Sequence, residues 1–157
     1  MRNKIVLTLL CAAFFMGCAQ RDKFSKKQQK AFYISIEKTA CFGNCPIYIL
    51  EVSKQEAKLQ AKRFTEHKGV SNQEMSDLEY KALQDSCAQA DWGNYTTEYL
   101  TGYSDLPSTI IRFSIHPTDT IDIRYEGSEA PVELRRIGDM LQVYQKKMQA
   151  EWPASLD

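Results

Sequence analysis

Hydrophobic positions along this chain change their period three times. Over residues 31–38 they alternate, with Phe32, Ile34 and Ile36 on one side and Tyr33, Ser35 and Glu37 on the other, which predicts a half-buried strand. Residues 46–52 are apolar on both faces, as an inner strand is, with Pro46 confined to the start because proline has no ladder donor. Residues 57–64 alternate again, Ala57, Leu59 and Ala61 against Lys58, Gln60 and Lys62. Between Gln73 and Ala90 the period lengthens: Met75, Leu78, Ala82, Leu83 and Ala90 predict a helix capped by Ser71 or Asn72 and closed by Trp92-Gly93. A polar loop through Asp105-Leu106-Pro107 then leads to a second hairpin. Its strands carry Thr109, Ile111, Phe113 and Ile115, then Ile121, Ile123 and Tyr125, around the turn His116-Pro117-Thr118-Asp119. The last helix is expected to be capped by Ser128, to tolerate Pro131 in its first turn, and to run its stripe of Leu134, Ile137, Leu141, Tyr144 and Met148 toward Trp152. Short turns between consecutive strands and two amphipathic helices predict a two-layer α+β domain, in which an antiparallel sheet of about five strands (order βββαββα) is covered by two helices.

Residues 1–17 have a different texture. Arg2 and Lys4 precede an uncharged, mostly apolar run over residues 5–17, and Gly17 precedes Cys18. A basic start and a short apolar core read as a secretory signal, too short to cross ~30 Å of hydrocarbon comfortably. The ending Phe-Met-Gly-Cys resembles a bacterial lipoprotein signal, in which the cysteine receives a diacylglyceryl group and becomes the first mature residue. The expectation is a signal peptide at 1–17, lipidation of Cys18, and a soluble body held on a membrane by two or more acyl chains, each buried methylene contributing about 0.8 kcal/mol. Residues 18–30 carry Arg21, Lys23, Lys26, Lys27 and Lys30 against Asp22, with Phe24 the single large apolar residue. They read as a flexible basic tether suited to anionic headgroups.

The whole chain has 157 residues, 43% hydrophobic and 25% charged, so residues 31–157 make one domain. A formal net charge of zero conceals an asymmetry. Residues 31–157 hold thirteen Lys+Arg against nineteen Asp+Glu, a net of −6. An acidic body argues against nucleic acid, which is bound through basic patches.

Of five cysteines, Cys11 lies in the signal and Cys18 at the lipidation position, leaving Cys41, Cys45 and Cys87 in an oxidising compartment. Cys41 and Cys45 flank three residues, close enough across a hairpin for a disulfide, with Gly43 and Asn44 able to take the positive φ of a tight loop. A structural staple is one reading. A redox-active pair is a second, and a soft-metal site with His67 or His116 as third ligand is a third. Cys-x-x-x-Cys-Pro is similar to the copper-binding loop of Sco-type chaperones over six residues only, without the parallel crossover those proteins place after it. Cys87 reads as a small core residue.

Three spaced motifs point further. Cys41-Phe-Gly-Asn-Cys-Pro-Ile-Tyr48, Tyr103-Ser-Asp-Leu-Pro-Ser-Thr109 and Tyr125-Glu-Gly-Ser-Glu-Ala-Pro-Val-Glu-Leu134, with Trp152 beyond them, resemble a widespread family of short bacterial envelope lipoproteins described only as a domain of unknown function. The resemblance runs from about Phe32 to Trp152. One departure is the turn Ser53-Lys-Gln-Glu56, where the family usually has an Asp-Gly type. The resemblance implies a compact envelope domain and supplies no catalytic residue.

Nothing else specifies a reaction. His67 lies in a charged loop and His116 in a hairpin turn, both reading as solvated, while phosphate loops, His-Glu-x-x-His and calcium loops are missing from the sequence. Asp105 in its pre-proline loop and Tyr48 stand as candidate binding residues. The expectation is therefore a non-catalytic, lipid-anchored envelope module without a cofactor, most simply on the outer membrane facing the periplasm, with an unknown protein or small molecule as partner. The alternatives are a thiol-redox or copper protein using Cys41 and Cys45, and an inhibitor or accessory subunit of an envelope enzyme.

Overall fold

The computed structural model describes residues 24–116 and 118–153. The signal sequence, Cys18 and the first part of the expected tether, together with Pro117, lie outside the described residues. Among the described residues the protein is α+β, with seven strands in one sheet and three helices. None of these helices is long and apolar enough to cross a membrane.

The first element corrects the tether. Lys26–Ala31 is a short helix, α1, capped by Ser25, whose hydroxyl accepts from the Gln28 amide while the Gln28 side chain accepts from the Ser25 amide. That Ser-x-x-Gln is a capping box, which satisfies two of the helix's otherwise unpaired donors. Phe24 supplies the tertiary reason for the order, its ring lying 6.0 Å from Phe32 and 6.5 Å from Phe113. The basic side chains stay outside.

Strands β1 (Tyr33–Lys38), β2 (Ile47–Ser53) and β3 (Glu56–Arg63) form the expected antiparallel meander. The β2–β3 turn is tight despite its sequence. Lys54 and Gln55 take φ of 49° and 67°, as a two-residue hairpin of the primed type requires. Contacts hold Gln55 there: its amide donates to the Met75 carbonyl and Asp77 Oδ1 at 2.9 and 2.8 Å, and its own carbonyl accepts from the Met75 amide.

Two strands were not expected. Strand β4 (Gly69–Glu74) pairs antiparallel with β3 at the sheet edge, and β5 (Glu98–Tyr99) pairs parallel with β7 (Asp119–Glu126) at the other edge. Ser71 is the sole fully buried residue of β4, so the strand carries no apolar alternation. With β4 occupying Gln73 and Glu74, helix α2 starts later, at Asp77–Gln89, under a Ser76/Glu79 capping box. The apolar phase shifts accordingly. Leu83 and Cys87 are buried, while Leu78 and Ala82 face outward.

Strands β6 (Ser108–His116) and β7 (Asp119–Glu126) form the second hairpin, and α3 (Val132–Ala150) closes the fold. Pro131 occupies the helix's N-cap position without a side-chain hydrogen bond, so Ser128 is not the cap. The expected stripe Leu134, Ile137, Leu141, Tyr144 and Met148 is buried throughout. The strand order is β4-β3-β2-β1-β6-β7-β5, with β1 at the centre. One side-chain parity, including Ile34, Ile36, Leu50, Val52, Leu59, Ile111 and Ile123, is fully buried beneath α2 and α3. The opposite parity is mixed and mostly half-exposed, Ile49 and Ile110 flanking Glu37 and Ser35 buried beneath its neighbours, with Arg112 joined to Glu37 at 2.9 Å and Asp122 at 3.4 Å and Tyr33 donating to Glu51 at 3.1 Å. Covering one face of a sheet in this way is the usual outcome for an antiparallel meander.

Candidate functional site

At the end of the sheet where β1 and β7 finish and β2 and β6 begin, the pairing register lines up Tyr48, Lys38, Thr109 and Tyr125 side by side. All four have the parity of the core. Lys38 is therefore anomalous: it follows Ile34 and Ile36 on the covered face, yet carries a charge. Its Nζ donates to Thr109 Oγ1 at 2.7 Å, and burial lowers its pKa, a shift that Asp139 partly opposes. No carboxylate among the described residues reaches it at ion-pair distance. Tyr125 is pushed up to about 12, first by burial and further by Asp139, with Thr109 and Arg135 offsetting part of the rise. Burial raises Tyr48 as well, with the neighbouring Tyr125 phenol adding to it.

Helix α3 supplies the other wall. Arg135, Asp139 and Gln142 follow one another at four- and three-residue spacing, the polar flank of the buried stripe, and with Lys38, Thr109 and Tyr125 they enclose a cavity of about 270 Å³. The helix comes close to the sheet here because position 138 is glycine. A Cβ at that position would overlap the Tyr125 hydroxyl. Arg135 Nε donates to the Ala130 carbonyl at 3.0 Å, fixing its stem at the helix start.

One of the two loops that carry the remaining motifs lines the cavity, and the disulfide loop is bonded to it. Cys41 and Cys45 are joined in a disulfide, with Cα atoms 5.7 Å apart. The bridge is not a cross-strand pair as the spacing suggested. The ladder ends at Lys38↔Tyr48, and the staple lies beyond it, inside the connecting loop. Neither Gly43 nor Asn44 takes a positive φ, since the longer loop has no tight two-residue turn to make. That loop is tied down by the Phe42 amide donating to the Asp105 carbonyl at 3.2 Å and by reciprocal bonds between Thr39 and Ser108. Asp105 thus contributes its backbone, and its side chain is exposed outside the cavity. Leu106 and Pro107, next in the same loop, line the opening.

Glu126 organises this loop from below. Its buried carboxylate accepts from the Thr101 amide and hydroxyl at 3.2 and 3.0 Å and from the Ser108 hydroxyl at 3.1 Å, with Arg124 3.7 Å away. The Thr101 amide above all holds its carboxyl below the ordinary carboxylate range.

The other candidates sit elsewhere. His67 stacks on Trp152 with ring centroids 5.6 Å apart, and its amide donates to Gln149 Oε1 at 2.7 Å, so it pins the chain beyond α3 rather than being solvated. His116 is exposed at the far end of β6. Neither histidine joins the bridged cysteines, and the described residues hold no cluster of three His, Cys, Asp or Glu. Cys87 is free and fully buried in the core, where desolvation raises its thiol pKa strongly. A larger apolar groove of about 380 Å³ runs between α2 and α3, along Met75, Leu83, Met140, Val143 and Tyr144; of the charges beside it, Glu79 and Lys147 are spent in a mutual pair at 2.8 Å, while Arg136 and Asp139 border it from α3.

Lys38, Arg135, Asp139, Gln142 and Glu126 were not singled out by sequence reasoning. Lys38 had a readable signal, a charge on core parity at the end of a strand. The α3 trio had a weaker one, a polar row beside the apolar stripe.

No curated protein matches the chain. A family model does match, over residues 32–144, a span that includes the disulfide loop, all three motifs but for the end of the chain, and every residue of the cavity. The chain belongs to the family described as a domain of unknown function, DUF6438.

Proposed function

We propose that this protein is a lipid-anchored cell-envelope module that binds rather than transforms its ligand, and that it binds at the disulfide end of its sheet. The observation that carries the reading is convergence: the end of β1 at Lys38, the Tyr103–Thr109 motif, and the Tyr125–Leu134 motif with the helix it opens enclose one polar cavity, and the Cys41–Tyr48 motif is tied to the Asp105 backbone beside it. Three distant segments have no packing reason to enclose partly buried charge, and pockets with a few convergent polar groups are where ligands bind. The orientation suits an anchored receptor. The chain enters β1 from α1 at Tyr33 and the cavity begins at Lys38, about 17 Å away at ~3.3 Å per residue, so the site faces away from the anchored end.

The anchor rests on residues 1–18 and the compartment follows from it. Mass spectrometry of protein recovered from native membranes should find Cys18 as an acylated N-terminal residue, and Cys18→Ser should release the protein to the soluble fraction. An unmodified thiol at position 18 refutes the anchor. For binding, a small-molecule extract of the envelope should shift the NMR signals of Lys38, Thr109 and Tyr125 without being consumed. Turnover of an extract component that stops in a single-residue variant refutes the non-catalytic part. The thiol alternative is favoured by one observation, that Cys41 and Cys45 are both half-exposed. A bridge that resists mild reductant removes it.

A further inference from the structure

We infer that the cavity between Lys38, Thr109, Tyr125 and the Arg135–Gln142 row of α3 receives a small organic carboxylate bearing a neighbouring hydroxyl or amino group; this rests on the binding reading above and names its ligand.

Charge comes first. The body carries a net of −6, yet the cavity holds Lys38 and Arg135 against Asp139, a local excess of one positive charge. A hydroxy acid, as a monoanion, neutralises it; an amino acid brings its carboxylate to the cations and its ammonium to Asp139. The dianionic form of inorganic phosphate would leave negative charge in excess beside Asp139, and neither phosphate form carries a cationic group for it. The second argument is the state of Lys38. An ammonium has three donors, and among the described residues the direct hydrogen-bond partner of this one is the neutral Thr109 hydroxyl. Partly desolvated charge without an ionic partner is costly, and a carboxylate oxygen is the group that relieves it most, because charge-assisted hydrogen bonds are about twice as strong as neutral ones. The site is therefore set up for an anion at Nζ.

Asp139 then explains the second group. One helical turn beyond Arg135, it faces the same space as an acceptor, with Gln142 beside it. A ligand that brings a carboxylate to Lys38 and a hydroxyl or ammonium to Asp139 satisfies both signs. Tyr125 keeps its proton throughout the physiological range and serves as a neutral partner. The volume of about 270 Å³ falls just below the roughly 300–1,000 Å³ of drug-sized sites, which restricts the ligand to a few heavy atoms beyond its polar groups. Leu106 and Pro107 at the mouth provide apolar contact for a short side chain, and Phe42, exposed on the adjoining loop, extends that surface outward.

The test titrates the detergent-solubilised full chain with four probes, lactate, alanine, glycerol and inorganic phosphate, following amide and Tyr125 ring signals by NMR and affinity by calorimetry. Lactate and alanine should shift Lys38, Thr109 and Tyr125, whereas glycerol and phosphate should not. Lys38→Met should weaken lactate at least tenfold. Should that variant not fold, as judged by its near-ultraviolet circular dichroism, Arg135→Gln at the half-exposed wall should still weaken it severalfold. Asp139→Asn should weaken alanine more than lactate, a selectivity that a merely structural role for Asp139 would not produce. Lactate binding unchanged in both cation variants overturns the proposal. Pocket shifts with phosphate or glycerol alone overturn the carboxylate and leave a binding site standing. No shift with any probe also overturns it, and if the envelope extract moves none of these signals either, the binding reading falls with it.

Discussion

Gly138→Ala is the substitution for which this structure makes the sharpest statement, because two general rules predict opposite signs. Alanine in place of glycine inside a helix ordinarily stabilises by about 0.5–1 kcal/mol through helix propensity and chain entropy. At position 138 of α3, however, the new methyl would overlap the Tyr125 hydroxyl, with the ring's Cζ at 3.5 Å and Ile111 Cδ1 at 3.9 Å. Tyr125 can retreat only toward the cavity it lines, away from its place in the row with Thr109. It is 4% exposed, on core parity, between β6 and the floor of α3. Overpacking of a filled core costs roughly 1–3 kcal/mol, so the net expectation is a loss of about 1–2 kcal/mol. For a domain of this size that lowers the melting temperature by about 3–8 °C. The control is Tyr125→Phe. Removing the hydroxyl leaves the methyl an ordinary contact with the ring, so Gly138→Ala in that background should be neutral or stabilising. The two substitutions should therefore couple by about 1–3 kcal/mol in a double-mutant cycle read by urea and thermal unfolding. If Gly138→Ala alone raises the melting temperature, or costs the same in the Tyr125→Phe background, then the helix does not approach the sheet as closely as described and the cavity geometry fails with it.

Three further outcomes follow from the same coordinates. Opening the Cys41–Cys45 bridge with Cys41→Ser and Cys45→Ser together should cost about 2 kcal/mol by the chain-entropy account of a five-residue loop, and should broaden the Leu106 and Pro107 signals because Phe42 would no longer be held against Asp105. Glu126 has a folded pKa below its ordinary value, so the stability it contributes is complete above the ordinary carboxylate range and is lost as pH falls through its own lower titration; Glu126→Gln should be less stable than the parent at pH 7, with the gap closing at lower pH. A gap that stays constant with pH would mean the carboxylate's charge is not what holds Thr101 and Ser108. Cys87 should resist a thiol reagent in the native protein and react on unfolding, since burial both shields it and keeps its proton.

The elements that could be read from the sequence are those whose burial is one-sided. In β1, β2, β3, β6 and β7 alternate residues face α2 and α3, so the apolar period reports the structure directly. The stripe of α3 was legible for the same reason. Where burial is slight, the pattern is silent. In β4 Ser71 alone is fully buried and the strand exists because the β3 edge offers hydrogen bonds, information that resides in the partner and not in Gly69–Glu74. The helix start drawn through Met75 and Leu78 then went out of phase. The capping pair Ser76-x-x-Glu79 was the better guide, and Ser25-x-x-Gln28 would equally have marked α1 inside the basic stretch.

For the site, the division is instructive in a different way. Of the loops that sequence reasoning picked out, only Leu106 and Pro107 line the cavity, whereas Cys41, Cys45, Tyr48 and the Asp105 side chain lie outside its lining. The same reasoning missed the interior, because Lys38 meets Arg135 and Asp139 only through a sheet end and a helix almost a hundred residues later. Yet Lys38 was marked. A lysine that keeps step with Phe32, Ile34 and Ile36 must either end the strand or bury a charge. Burying a charge without an ionic partner lowers stability, so the fold gains nothing from lysine there that leucine or methionine would not supply better. That asymmetry separates a residue kept for packing from one kept for a ligand. Lys38→Met should accordingly leave the melting temperature unchanged or raised while binding is lost, whereas a melting temperature lowered by several degrees would return Lys38 to the structural residues.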